Sequence, residues 1–212
     1  MLLNGSQQLK MKHKASPIVV PEGTEKLLLH ACCAPCSSAI VEWMLANGLK
    51  PTIYYFNPNI FPIEEYIIRK EESKRHADCL GVEWIDGDYN HEQWVSCVQG
   101  MESEPERGRR CDCCFRMRLI AAAQMTRQHG ISVFTTTLAS SRWKSIEQIT
   151  KAGIEAQNMV PGTLFWAQNW RKGGLYERRN QLLHEFAFYN QQYCGCEFSL
   201  RQRELTKNQE IK

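Results

Sequence analysis

The sequence predicts a single α/β domain with a mainly parallel sheet, helices on both faces and a helical C-terminal part. Three observations lead there. Short apolar or β-branched runs alternate with amphipathic stretches of about ten residues or more, the pattern of βαβ units. The chain has 212 residues and is 43% hydrophobic, enough for one sizeable core. No apolar stretch approaches the roughly 18 residues of a membrane span, so no membrane partner is expected.

Taken in order, KLLLH at Lys26–His30 is a short apolar run suited to a buried strand. SSAIVEWMLANG follows with Ile40, Met44 and Leu45 at helical spacing and Asn47-Gly48 as its stop. PTIYYFNPN is β-branched and aromatic, then ends in turn residues, and reads as a second strand. Ile63–Leu80 is a charged amphipathic helix stopped by Gly81, and VEWID is a third strand. CCFRMRLIAAAQMTRQHG is helical with Gly130 as its cap, ISVFTTT is a fourth strand, and SIEQITKAGIEAQN is a further helix. Residues 1–25, polar and carrying Pro17 and Pro21, are expected to be an extension without fixed structure. Residues 26–200 form the α/β unit, and 201–212 a polar tail.

The first residues lack the apolar centre of a secretory signal, so a cytoplasmic protein is expected. That matters for the ten cysteines: in a reducing compartment they point to metal binding or redox chemistry rather than to a disulfide framework. In open α/β sheets, ligands bind beyond the carboxyl ends of the strands. HACCAPCS, NPNIFP and TTTLASSRWKS follow the first, second and fourth strands, and should share one rim.

Cys32, Cys33 and Cys36 lie in the turn entering the first helix, where backbone N–H groups and the helix dipole favour thiolates. Cys33-Ala-Pro-Cys36 also fits a thioredoxin-like dithiol, which leaves Cys32 without a role. Cys111 and Cys114, in RRCDCCFRMRL, form a C-x-x-C pair of the kind that gives two of four ligands to zinc or to an iron–sulfur cluster. Cys79 and Cys97 stand alone and are expected to be inert. Cys194-Gly195-Cys196 allows its two sulfurs to meet across a glycine, and a disulfide so tight would be strained and easily reduced. The residues alone leave three readings open: a metal-dependent redox enzyme, a thioredoxin-like oxidoreductase using Cys33 and Cys36, and a structural zinc module that binds RNA.

HACCAPCS, NPNIFPIEEYIIRK, RRCDCCFRMRL, TTTLASSRWKS, NWRKGG and YCGC, in that order, resemble the cobalamin-independent epoxyqueuosine reductase family QueH over about residues 26–200. The resemblance implies a Rossmann-like, HUP-type domain and an oxidoreductase. The reaction implied is reduction of epoxyqueuosine at the wobble position of tRNA to queuosine, the last step of queuosine biosynthesis. It further implies a 4Fe-4S cluster on Cys32, Cys33, Cys111 and Cys114, a redox-active pair in Cys194 and Cys196, and a second, mononuclear metal ion for which Cys36 and Asp112 are the candidate ligands. With no G-x-G-x-x-G after a strand, the electron donor is a partner the sequence does not identify. For tRNA, the candidates are Arg109 and Arg110 beside the second cysteine group, Arg171 and Lys172 after Trp170, and Arg142, Trp143 and Lys144 on the rim. Phosphate contacts and base stacking are the expected modes. Asn57 and Asn59 are candidates for hydrogen bonds to the modified base.

Overall fold

The structure, a computed structural model, describes residues 18–210. Five parallel strands run in the order β3-β2-β1-β4-β5. They are β1 (Lys26–His30), β2 (Lys50–Tyr55), β3 (Trp84–Asp86), β4 (Val133–Thr136) and a two-residue β5 (Leu164–Phe165) at the edge. The central strands are apolar without alternation because helices cover both faces, and Leu27, Leu28, Leu29, Ile53 and Phe134 are fully buried.

The chain steps outward from β1 to β3, then returns to β4 on the other side of β1. With right-handed crossovers, α1 (Ala34–Ala46) and α2 (Ile63–Leu80) fall on one face, and α4 (Arg109–Gln128) and α5 (Ile146–Met159) on the other. This reversal between β1 and β4 is the topological switch point, where the ends of adjacent strands part and leave a crevice. His30 and Thr136, paired in register, bring HACCAPCS and TTTLASSRWKS to that crevice.

The predicted elements form where expected, with differences in extent. Helix α2 has the predicted bounds, and Gly81 ends it at φ +64°, its N–H bonding back to Ala77 and Asp78 carbonyls. Met44 is buried as the spacing requires, but Leu45 is exposed. Helix α4 begins at Arg109, placing Cys111 inside its first turn. A short helix missed in the sequence, α3 (His91–Cys97), starts at Asn90, whose side chain accepts from Gln93 N at 2.9 Å. Of the segment expected to lack structure, residues 1–17 lie outside the described residues, while Ile18 and Val20 pack on the core.

The helical C-terminal part comprises α6 (Leu175–Glu185) and α7 (Glu197–Glu210). Of the expected tail, residues 201–210 continue α7, anchored by Phe198 against Trp94 and by buried Ser199, and 211–212 lie outside the described residues. Between the two helices the chain crosses α2. Tyr189 donates from its N–H to Glu72 and from its hydroxyl to Glu65, and Arg75 donates to the Phe186 carbonyl.

His76 of α2 lies edge-on to Phe186 and Phe188, buried, with no partner for either ring nitrogen among the described residues. Burial, with Arg75 nearby, lowers its pKa from 6.5 to about 4. Between those values the unfolded chain binds one proton more than the native one, so stability falls as pH falls through that window. His76→Leu should flatten the window, which spans at most about 3 kcal/mol, in urea midpoints measured against pH. An unchanged slope would contradict this reading of the contact.

Candidate active site

Helix α1 starts at the end of β1 with Cys33 in extended backbone at its N-terminus and Pro35 in its first turn. The Sγ atoms of Cys32, Cys33 and Cys36 lie within 4.8 Å of one another, and all three residues are buried. Thr137 fixes Cys32 from β4's side, accepting from its N–H at 3.1 Å and donating to its Sγ at 3.3 Å. Hydrogen bonds from the Cys33 and Cys36 thiols hold Cys32 well below the ordinary thiol range against its burial, with Lys144 and Arg118 adding to the effect. Cys33 is pushed well above that range and Cys36 up to about 12 by sharing hydrogen bonds with Cys32. Cys32 therefore joins Cys33 and Cys36 in one set of three sulfurs, where a thioredoxin-type dithiol needs two.

His30 lies beneath this group without joining it. Its Nε2 donates to the Phe56 carbonyl at 3.1 Å and its Nδ1 accepts from the Thr136 hydroxyl at 2.8 Å. Burial, with Arg118 nearby, lowers its pKa to about 3, so the ring is neutral and both nitrogens are occupied.

Cys111 and Cys114 stand one turn apart on a single face of α4. Burial pushes Cys111 up to about 12, with the Cys194, Cys114 and Cys196 sulfurs contributing; burial also raises Cys114. Among the described residues, these two are not part of the tight group formed by Cys32, Cys33 and Cys36. Arg118, one turn further along α4, faces both sets and donates to Asn57 Oδ1. Cys113 turns elsewhere, its Sγ 3.9 Å from Met101 Sδ. Asp112 and Cys36 border different cavities.

Gly195 adopts φ +127°, a conformation open to glycine, and a Cβ there would lie 3.1–3.2 Å from Arg69, Ile60 and Asn59. The buried Arg69, paired with Glu65, donates to the carbonyls of Tyr193 at 3.3 Å and Cys194 at 3.4 Å, and Phe61 N donates to Gly195 O at 2.8 Å. Arg69 lies within the NPNIFPIEEYIIRK motif, where the spacing reads only as a charged helix, yet it fixes this turn. Cys194 and Cys196 are unlinked thiols, and Cys196 Sγ donates to Ser199 Oγ at 3.4 Å. Cys194 borders a cavity of about 690 Å³ together with Cys36, Arg142, Trp143 and Lys144. The first and third cysteine motifs therefore open onto one space.

Trp143 is 62% exposed with the Arg142 guanidinium 4.6 Å over its ring, while Lys144 is 7% exposed. Burial works against the Lys144 charge, but Cys194, Cys32 and Cys36 hold its pKa above the usual lysine range. The other expected substrate contacts fall differently. Asn57 is fully buried, donating to the Ala31 carbonyl at 2.9 Å and accepting from Arg118, so it braces the rim. Asn59 is buried behind Gly195. Arg110 is buried too, donating to the Met101, Glu102 and Glu104 carbonyls under Phe198. Arg109 is exposed but paired with Glu104 at 2.7 Å. Arg171 donates to the Ser141 and Lys144 carbonyls and so shapes the rim loop. Lys172 is exposed, whereas Trp170 is 1% exposed and bonded to Thr135, so of these two tryptophans Trp143 is the one available for stacking.

The protein family described as "Epoxyqueuosine reductase QueH" matches residues 27–202. A protein of that name from Histophilus somni is 48% identical over 182 residues, covering 86% of this chain and 75% of the relative. One from Haemophilus influenzae is 47% identical over 196 residues, covering 91% of this chain and 80% of the relative. A third, from Acinetobacter baylyi, is 45% identical over 182 residues, with 86% and 84% covered.

Proposed function

The chain belongs to the epoxyqueuosine reductase family QueH, and from that premise we propose that it reduces epoxyqueuosine in tRNA to queuosine in the crevice between β1 and β4. The observation that carries the reading is the cavity of about 690 Å³ shared by Cys36, Cys194, Trp143 and Lys144. It places thiol chemistry, a cation and an exposed aromatic around a space suited to a nucleoside.

The donor set fits an iron–sulfur cofactor. Three buried thiols within 4.8 Å, with no carboxylate among them, are soft ligands that favour iron–sulfur or zinc over magnesium or calcium. We assign Cys32, Cys33, Cys111 and Cys114 as the residues that hold a 4Fe-4S cluster, and Cys36 as a ligand for a second metal ion; Asp112, which borders the other cavity, stands outside that set. When bound, these groups supply single-electron transfer and Lewis acidity toward the epoxide oxygen.

The chain's own residues supply the rest. Converting an epoxide to an alkene and water takes two electrons and two protons. Oxidation of the Cys194 and Cys196 thiols to a disulfide provides both, as the two C–O bonds of the epoxide are replaced by a C=C bond. Arg69 and the Phe61 N–H hold that turn in place. Trp143 offers a stacking face for the displaced base, and the charge on Lys144 stabilises anionic oxygen nearby. An electron donor of unidentified nature then restores the dithiol. With tRNA as substrate, the cytoplasm is the compartment we assign.

The test is anaerobic incubation of the iron-loaded protein with tRNA carrying epoxyqueuosine and a chemical reductant, followed by mass analysis of the nucleosides. Queuosine should replace its epoxide. Unchanged epoxyqueuosine after prolonged incubation would overturn the reading.

A further inference from the structure

Trp94 of α3 is buried, and its single donor, Nε1–H, has no acceptor among the described residues. A buried indole N–H ordinarily finds a partner, because it has given up water and gains nothing in return otherwise. The ring is also held in place. Asn90 caps α3, His91 stacks 5.5 Å from the indole, and Phe198 of α7 lies 6.0 Å from it. His91 Nδ1 in turn donates to the Pro58 carbonyl at 2.8 Å.

What the indole packs against is sulfur. Trp94 forms a buried group with Val98, Cys114 and Cys196, separate from the main core. Cys196 Sγ is already bonded to Ser199 Oγ at 3.4 Å. Burial raises the Cys114 pKa, and the Arg118 charge and the Trp94 N–H both oppose that rise, which sets the indole donor toward this sulfur. A neutral thiol is a weak acceptor, whereas a charged thiolate is a strong one. The donor therefore faces a sulfur that becomes a full acceptor once it binds iron.

We propose that the Trp94 N–H donates to the Cys114 sulfur when the cluster is bound and raises the cluster's reduction potential. This rests on the assignment of Cys114 above as a cluster ligand, and adds a positioning residue from α3 that lies outside every cysteine motif. Reduction adds one negative charge, spread over iron and sulfur, so a donor to one of those sulfurs stabilises the reduced form more than the oxidised one. The sign separates this role from packing. Loss of packing alone would admit water, which also favours the more charged form and raises the potential; loss of the N–H lowers it.

The experiment is a dithionite titration of the anaerobically loaded full chain, with reduced cluster followed by electron paramagnetic resonance and iron counted per chain. Trp94→Phe should keep its iron and, at a fixed potential, hold about tenfold less reduced relative to oxidised cluster, a midpoint lower by about 59 mV. Phe198→Leu, which loosens the same group but keeps the N–H, should not lower the midpoint. A second measurement requires no variant to fold. In unaltered protein whose tryptophans carry a heavy-nitrogen label in the indole, pulsed resonance should show the reduced cluster coupled to an indole nitrogen, and Trp94→Phe should remove that coupling.

An unmoved or raised midpoint in Trp94→Phe with iron intact, an equal fall in Phe198→Leu, or no indole coupling in the unaltered protein would overturn the assignment. So would a shift confined to the Cys194 and Cys196 couple, since the N–H would then serve Cys196. If Trp94→Phe holds no iron, the labelled unaltered protein decides alone. A chain that takes up no iron–sulfur cluster removes the ligand assignment of Cys114, whereas a loaded cluster without the tryptophan effect removes the role of Trp94 alone.

Discussion

Cys194→Ser and Cys196→Ser proteins are expected to keep their iron and bind tRNA normally, yet lose multiple-turnover reduction by on the order of 100-fold or more. Serine fits either position, since Cys194 is held through its backbone carbonyl by Arg69, and Cys196 makes only a weak thiol bond to Ser199. What serine cannot do is form the disulfide that carries two electrons. No first-turnover burst should remain either, because the dithiol supplies both electrons of a conversion. Trapping free thiols before and after one turnover supplies the second readout: the unaltered protein should show Cys194 linked to Cys196 after the reaction. Full turnover in both variants would make the pair a bystander. Loss of iron in either would make it a set of cluster ligands, a result the proximity of Cys111 and Cys114 to this turn makes worth measuring.

Cys32→Ser has a different expected signature. The protein should lose iron by about tenfold or more on anaerobic purification, because thiolates bonded to the metal matter more than the supporting contacts that already count for 10–100-fold in metal affinity. Two thiol hydrogen bonds and two nearby cations lower the Cys32 pKa, which favours the ionised sulfur that binds iron. An alcohol stays protonated there and is a poor ligand for iron. Cys111→Ser should lose iron as well, which is the sharper test, since that residue stands apart from the tight thiol group. Cys79→Ser, exposed on α2, should leave iron content unchanged. Full iron in Cys111→Ser would return the cluster to Cys32, Cys33 and Cys36 with a ligand from elsewhere.

The strands and helices were legible because hydrophobic period and end signals are local. Ile63–Leu80 with Gly81 behind it needs no tertiary information. The rim was legible too, because strand alternation fixes which ends of the strands carry the loops. The division of labour among polar residues was not. Asn57, Arg110 and Trp170 look as available in the sequence as Trp143, but each ends in the interior, where carbonyls or hydroxyls left by loops require a donor. That demand arises only after the chain has folded. The same holds for the thiols. Spacing groups Cys33 with Cys36 as a dithiol, whereas the fold brings Cys32 against both to make a set of three. Helix α7 was hidden for another reason: RQRELTKNQEIK offers no sustained apolar period, and what seats the helix is its first turn, where Phe198 packs on Trp94 and Ser199 is buried.

Reduction of epoxyqueuosine is expected at an iron–sulfur site built from the two cysteine groups. The most direct test is single-turnover conversion of epoxyqueuosine to queuosine in tRNA, measured against iron and sulfide bound per chain in samples reconstituted to different degrees. Conversion should rise with loading and reach completion at about four irons and four sulfides per cluster. Full conversion by protein holding zinc and no iron, or none at full loading, would contradict it.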